Sequence, residues 1–314
     1  MKKLKIVFMG TPDFSVPVLE GLIDNYNVIG VVTQPDKEVG RKKEIKYSPV
    51  KEVALNNNIE VFQPLKIRNE YQDIISLKPD MIVTCAYGQI IPKELLDCPK
   101  YGCINVHASL LPKLRGGAPI HRAIIDGYSK TGVTIMYMAE GMDDGDIISQ
   151  EEIMIDNDMN VGVLHDRLSI MGRDLLLKTI PNIINGKIKP IKQDEDEITF
   201  AHNIKREDEL IDFNKKAIEV YNQIRGLNPF PGGYAILDEK IIKIYNSKIK
   251  DHMYTEKLNG EIVQIYKDGI GVSVADYEII ITEIKMAGKR RMLVKDYLNG
   301  IDGNSLIGKV FNRE

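Results

Sequence analysis

Over roughly the first 190 residues, short β-branched runs alternate with helical stretches, and that alternation restricts the fold more than any other property of the chain. The runs KIVFMG (5–10), VIGVVTQ (28–34) and DMIVTCAYG (80–88) have the length and the Val/Ile content of buried strands. Between them, VPVLEGLIDN (16–25) and SPVKEVALNNN (48–58) carry apolar residues at helical spacing. Parallel neighbours need a crossover connection, so the alternation predicts an α/β fold with a Rossmann-like, doubly wound parallel sheet. Ligands of such a sheet bind outside the carboxyl ends of its strands. A further strand is expected at GVTIMYM (132–138), and a long helix over 161–184 closed by Asn185-Gly186.

The pattern then changes. Residues 190–206 are polar, acidic and aperiodic, which reads as a linker. From residue 207 one helix, KKAIEVYNQIRGL (215–227), leads through NPFPGG into the short runs YAIL, KIIKIYNSKI, GEIVQIY, GIGVSV and YEIIITEIK. Several short strands separated by turn signals predict a small C-terminal OB-like β-barrel. The expected organisation is therefore a first domain over 1–189, a linker over 190–206 and a second domain over 207–314.

A chain of 314 residues suits two domains of this size. The apolar run at the start ends in Gly10-Thr11-Pro12, too soon for a signal peptide, and no run approaches the roughly 20 apolar residues a spanning helix needs. No membrane role is expected. Cys85, Cys98 and Cys103 form no CxxC pair and leave one over, which argues against a disulfide framework or a thiolate zinc site and fits a cytoplasmic location. Net charge is −3, with 16 basic against 17 acidic residues after position 206, so any nucleic acid must be held by local clusters. Two such clusters stand out: Lys37, Arg41, Lys42, Lys43 and Lys46, and the stretch 285–295 with Lys289, Arg290 and Arg291.

The stretch NVHASLLP, starting at Asn105, carries the most chemistry. Side chains alternate along a strand, so Asn105 and His107 share a face at its end. GMDDGD follows the expected strand 132–138, and Asp143 within it is the natural third partner if two carboxyl-end loops meet. The Asn amide and a protonated His can donate to a carbonyl oxygen as it gains charge, while a carboxylate holds the His charged and relays a proton through water. No serine or cysteine sits in a nucleophile elbow, so the set suits direct transfer between two bound substrates. Taken alone, an Asn-x-His pair is more often structural, DDGD is more often a solvated turn, and GTPDF is a strand-to-helix turn with Asp13 or Ser15 as cap. His107 with Asp143, Asp144 and Asp146 could also bind a divalent ion, although the reading requires none. The first turn reads GTPDFS and not GxGxxG, which disfavours a nicotinamide dehydrogenase.

The fragments together resemble a known family. GTPDF (10–14), TQPDK (33–37) with GRKK (40–43), AYGQIIP (86–92), NVHASLLPKLRGGAPIHRAI (105–124), GMDDGDI (141–147) and IRGLNPFPGG (224–233) occur in the order of the folate-dependent formyltransferases. The last fragment and the C-terminal barrel are similar to the tRNA-specific members. The resemblance implies formyl transfer from 10-formyltetrahydrofolate to the α-amine of methionyl initiator tRNA in translation initiation, with Asn105, His107 and Asp143 as catalytic residues. It implies folate contacts from Ser109, Leu110, Leu111 and Pro112 and from Ile90, Ile91 and Pro92. It also implies tRNA contacts from Arg41, beside Lys42 and Lys43, in a loop after the second strand, and an RNA-binding role for the barrel. Rival readings are a formyl-folate enzyme acting on a sugar nucleotide or hydrolysing the folate, and a non-catalytic RNA-binding module.

Overall fold

The computed structural model describes residues 4–39, 44–254 and 256–312. The chain enters on β1 (Lys5–Gly10), crosses through α1 (Val16–Asn25) to β2 (Asn27–Val32), and forms a two-stranded ribbon of β3 (Lys37–Val39) and β4 (Glu44–Lys46). It continues through α2 (Pro49–Asn56), β5 (Val61–Phe62), α3 (Gln72–Ser76), β6 (Met81–Cys85), α4 (Lys93–Leu96) and β7 (Cys103–His107). After α5 (Pro119–Ile125) come β8 (Lys130–Tyr137), β9 (Ile147–Met154) and the long helix α6 (Val161–Ile184). By its contacts the chain divides into two compact units: residues 1–119, 130–154 and 165–202, and residues 120–129, 155–164 and 203–314.

The first unit is built on a seven-stranded sheet of order β5-β2-β1-β6-β7-β8-β9, in which the first five strands are parallel, as the strand–helix alternation predicts. Central strands buried on both faces need continuous apolar runs. Ile6 to Met9 of β1 and Met81 to Val83 of β6 accordingly have no exposed surface. The turn after β1 is tight: a Cβ on Gly10 would lie 2.8 Å from the carbonyl oxygen of Cys85. Ser15 stands at the N-cap of α1, but its hydroxyl does not cap the helix; it donates to that same carbonyl at 2.6 Å and ties the turn to β6.

One expectation is corrected. β8 runs antiparallel to β7, with Ile104 opposite Tyr137 and His107 opposite Thr134. The carboxyl end of β8 therefore lies beside the amino end of β7, and two carboxyl-end loops do not meet directly. The 22 residues between His107 and Lys130 would suffice for a parallel crossover, but their one helix, α5, falls almost wholly in the second unit and does not serve as a crossover helix on this sheet. Asp143 reaches His107 only because residues 138–146 fold back along the strand.

The second unit holds α7 (Ala217–Gly226), β10 (Gly233–Leu237), β11 (Lys240–Lys250), β12 (Ile262–Ile265), β13 (Ile270–Ser273), β14 (Glu278–Met286), β15 (Met292–Leu293) and α8 (Val294–Leu298). Its strands form one antiparallel sheet, β10-β11-β14-β13-β12, with β15 added to β14. Each of the five expected strand runs forms, and side chains from all five share one core with Val220 and Ile224 of α7. Arg225 of the IRGLNPFPGG motif is 9% exposed and donates to the carbonyls of Asp156 and Met159, which holds residues 155–164 in this unit. Burial pulls its guanidinium below the usual arginine value.

Ile104 lies in β7 with no exposed surface, between the side chains of two neighbouring strands. Ile104→Ala should cost the first unit about 2–5 kcal/mol, the range for emptying a packed aliphatic site. Urea denaturation followed by circular dichroism checks it, and a loss below about 1 kcal/mol would mean this strand does not carry the core.

Candidate active site

β7 puts Asn105 and His107 on one face, two residues apart, at the carboxyl end of the parallel part of the sheet. Thr84 is the direct neighbour of Asn105 across the parallel ladder, and its hydroxyl donates to Asn105 Oδ1 at 2.8 Å. That contact occupies the amide oxygen and turns the amide NH2 outward as a donor.

His107 is 5% exposed. Its Nε2 lies 3.1 Å from the carbonyl oxygen of Leu114, which can only accept, so Nε2 carries a hydrogen and donates. Nδ1 faces Asp143 Oδ2 at 3.6 Å. Both ring nitrogens thus face oxygen atoms. The 3.6 Å separation exceeds a hydrogen bond, which leaves Nδ1 open to a third group. Asp143 has a left-handed backbone (φ 50°) and takes the Gly116 amide on Oδ2 at 2.8 Å. Gly116 itself has φ 120°, and a Cβ there would lie 2.8 Å from the carbonyl oxygen of Ala201, so glycine is required at the contact with Asp143.

Four side chains that the sequence reading passed over hold the two loops in place. Thr134 receives the Leu111 amide and donates to the Ser109 carbonyl, and Gln150 donates to the Leu111 carbonyl at 2.8 Å. Gln193 donates to the carbonyls of Asp143 and Gly145 at 2.7 and 2.8 Å and accepts from Arg115. The hydroxyl of Thr199 accepts the Leu114 amide at 2.9 Å, and residues 199–201 run beside Arg115 with backbone hydrogen bonds. Gln193 and Thr199 lie in the stretch read as a linker. Their signal in the sequence is slight: single uncharged polar residues in an acidic run.

The other expected site residues are distributed unevenly. Ser109 is wholly buried and its hydroxyl donates to the Lys113 carbonyl, Leu111 packs with Met136 and Ile147, and Leu110 and Pro112 are half-buried. Ile90 is 65% exposed, Ile91 is in the core beside Tyr87 and Leu95, and Pro92 is half-buried at the start of α4. Arg41, Lys42 and Lys43 lie outside the described residues, although the ribbon β3–β4 on either side of them was not expected from the sequence. Lys51 anchors the approach to that ribbon through Asp36 and Gln63 at 2.5 and 2.7 Å, and the Lys51 ammonium holds the Asp36 carboxyl below the usual range. In the second unit Arg291 is committed to both oxygens of Glu283 and stacks on Tyr245, whereas Lys289 and Arg290 stand in the turn between β14 and β15.

Thiol chemistry does not compete at this site. Burial pushes the Cys85 thiol up to about 12 and the Cys103 thiol higher still, so neither is a thiolate near neutral pH. Among the described residues no group of three or more His, Cys, Asp or Glu is disposed to hold a metal ion.

An α/β enzyme with two donors on one strand, a carboxylate behind one of them and no activated side-chain nucleophile is built to transfer a group directly from one substrate to another. The chain belongs to the formyl transferase family: the pattern described as formyl transferase matches residues 4–180, and that of the formyl transferase C-terminal domain matches residues 203–302. It is 54% identical over 310 residues to the methionyl-tRNA formyltransferase of Bacillus subtilis, covering 97% of this chain and 98% of that one. It is 56% identical over 300 residues to the enzyme of the same name from Bacillus velezensis, covering 94% of each. Among solved structures it is similar in fold to an N-formyltransferase from Helicobacter canadensis in complex with folinic acid and dTDP-3-aminofucose, at 23% identity and a TM-score of 0.66, over 90% of this chain and 99% of that one.

Thr84→Val keeps the shape of a buried side chain and removes the hydroxyl that orients the Asn105 amide. An unpartnered buried acceptor is worth about 1–3 kcal/mol, so turnover should fall by roughly 5- to 100-fold with the melting temperature little changed. Steady-state kinetics with a thermal melt checks it, and unaltered turnover would mean that Asn105 needs no orientation from β6.

Proposed function

We propose that this chain transfers a formyl group from 10-formyltetrahydrofolate to the α-amine of methionyl initiator tRNA, and that Asn105, His107 and Asp143 carry the reaction. The observation that supports the reaction most is the identity of 54–56% with methionyl-tRNA formyltransferases over nearly the whole chain. The folate-bound relative supports a formyl-folate donor.

The amine attacks the formyl carbon and the carbonyl oxygen gains negative charge. The Asn105 amide and the Nδ1 hydrogen of His107 donate to that oxygen, each acting more strongly in the transition state than in the ground state. Leu114, by taking Nε2, leaves Nδ1 as the working atom of the ring. Asp143 keeps the imidazolium charged through Oδ2, and its Oδ1 accepts the proton that the amine must lose. The bond from carbon to the folate nitrogen then breaks, and that nitrogen takes up the proton, so the balance closes without a metal.

Residues 109–112 and 90–92 are the proposed walls of the folate site. Exposed Ile90 is the apolar surface offered there, and the cores behind Leu111 and Ile91 keep both loops in place. For RNA we propose Arg41, Lys42 and Lys43, and the end of the second unit that carries Lys289, Arg290 and Arg291. There Lys240, Lys289, Met286, Met292 and Tyr297 line an open cavity of about 380 Å³. Most other cations of this unit, such as Lys248, Lys257 and Lys309, are paired with carboxylates. Lys240, Lys289 and Arg290 are the cations proposed to meet phosphate at this end.

With labelled formyl-folate, the label should appear on charged initiator tRNA, and His107→Ala and Asp143→Asn should each lower turnover by at least about 100-fold with the fold intact. Label on a sugar nucleotide and none on tRNA would move the assignment to the sugar-modifying members of the family. Replacing Lys240 and Lys289 together by alanine should flatten the log-log salt dependence of tRNA affinity by roughly 1.5 to 2 units, since each lost phosphate contact removes about 0.9. An unchanged slope would remove this end of the unit from the RNA interface.

A further inference from the structure

We infer that Gln193 is a positioning residue for the transfer, acting through Asp143. The inference rests on the role proposed for Asp143. Gln193 follows α6 in an acidic run, QDEDE, that gives no hint of a site, yet its side chain makes four hydrogen bonds of 2.7 to 3.0 Å within the catalytic unit. Its amide hydrogens go to the carbonyls of Asp143 and Gly145, so they bracket Asp144 and clamp the loop from both sides. Its oxygen takes two hydrogens from Arg115, the residue next to the Gly116 amide that Asp143 receives. One side chain therefore joins the loop that supplies the carboxylate to the loop that supplies its backbone donor.

The need for such a clamp follows from the backbone. Asp143 sits at φ 50°, a left-handed conformation that a non-glycine residue keeps only when its surroundings enforce it. Glycines at 141 and 145 loosen the chain on either side. Arg115 is 9% exposed, and its guanidinium needs the Gln193 oxygen as a neutral acceptor. A carboxylate drawn away from His107 by about 1 Å is enough to cost roughly 100-fold in rate, whereas substrate contacts elsewhere would not change.

The test is a double-mutant cycle on the full chain. Gln193→Ala should lower kcat by roughly 10- to 100-fold, leave the KM values for formyl-folate and charged tRNA within about 3-fold, and produce no further loss in an Asp143→Ala background. Gln193→Glu, which keeps the acceptor for Arg115 but sets a carboxylate against two carbonyls, should lose about as much as Gln193→Ala. Hydrogen exchange supplies a readout that needs no activity: in Gln193→Ala the Gly116 amide should exchange faster, because its acceptor is no longer held. Losses that multiply in the double variant, a near-normal Gln193→Glu, or an unchanged Gly116 amide would each overturn the inference. If the wild-type chain fails to formylate charged tRNA, the proposed reaction fails, and the exchange result still decides whether Gln193 holds Asp143.

Discussion

A buried imidazole with an oxygen acceptor at each nitrogen is the constraint on which the rest of the site depends. His107 is almost fully removed from water, so a polar ring nitrogen left without a partner inside the protein carries a desolvation cost of about 1–3 kcal/mol. One partner is the Leu114 carbonyl, which reaches Nε2 only because the chain turns back after the SLLP segment. The other is Asp143, which reaches Nδ1 only because the loop after β8 folds back from the far end of its strand. Neither path is favoured locally, since Leu114 and Asp143 both have left-handed φ angles. The side chains of Thr134, Gln150, Gln193 and Thr199 hold those paths by taking up backbone groups that would otherwise be buried without partners.

How much of this the sequence contains depends on the range of the interaction. The strands and crossover helices of the first unit are legible because burial on both faces demands runs such as Ile6 to Met9, and the antiparallel sheet of the second unit is legible from its alternation and turns. Asn105, His107 and Asp143 are suggested by their residue types, but their spacing alone favours a structural pair, and it is the family resemblance of the surrounding motifs that singles them out. The direction of β8 is not legible, since a strand's own residues do not record whether its neighbour runs with or against it. Gln193 and Thr199 are not either: their partners lie 50 and 85 residues earlier in the chain, and no periodicity links them. The acidic composition of 190–206 describes the solvent side of that stretch and hides the few residues that face inward.

The same division appears in the cations. The cluster 285–295 is conspicuous in the sequence, but its members play different parts in the fold. Arg291 is bound to Glu283 and stacked on Tyr245, so it braces the β14–β15 hairpin, and Lys289 lines an open cavity with Lys240, the first residue of β11, nearly 50 residues earlier. Arg225, part of the motif most suggestive of RNA, is an internal strut. A count of charges therefore overstates the surface available to a phosphate, and the distribution of carboxylate partners is the better guide.

The central claim is that Asn105 and His107 act on the transition state and not on substrate binding. Single-turnover transfer with saturating formyl-folate and charged initiator tRNA, compared between wild type and Asn105→Ala, tests it most directly. The account predicts a rate lower by at least about 100-fold with dissociation constants for both substrates within about 3-fold. A near-normal rate at saturation, with folate affinity collapsed, would contradict it and make Asn105 a binding residue.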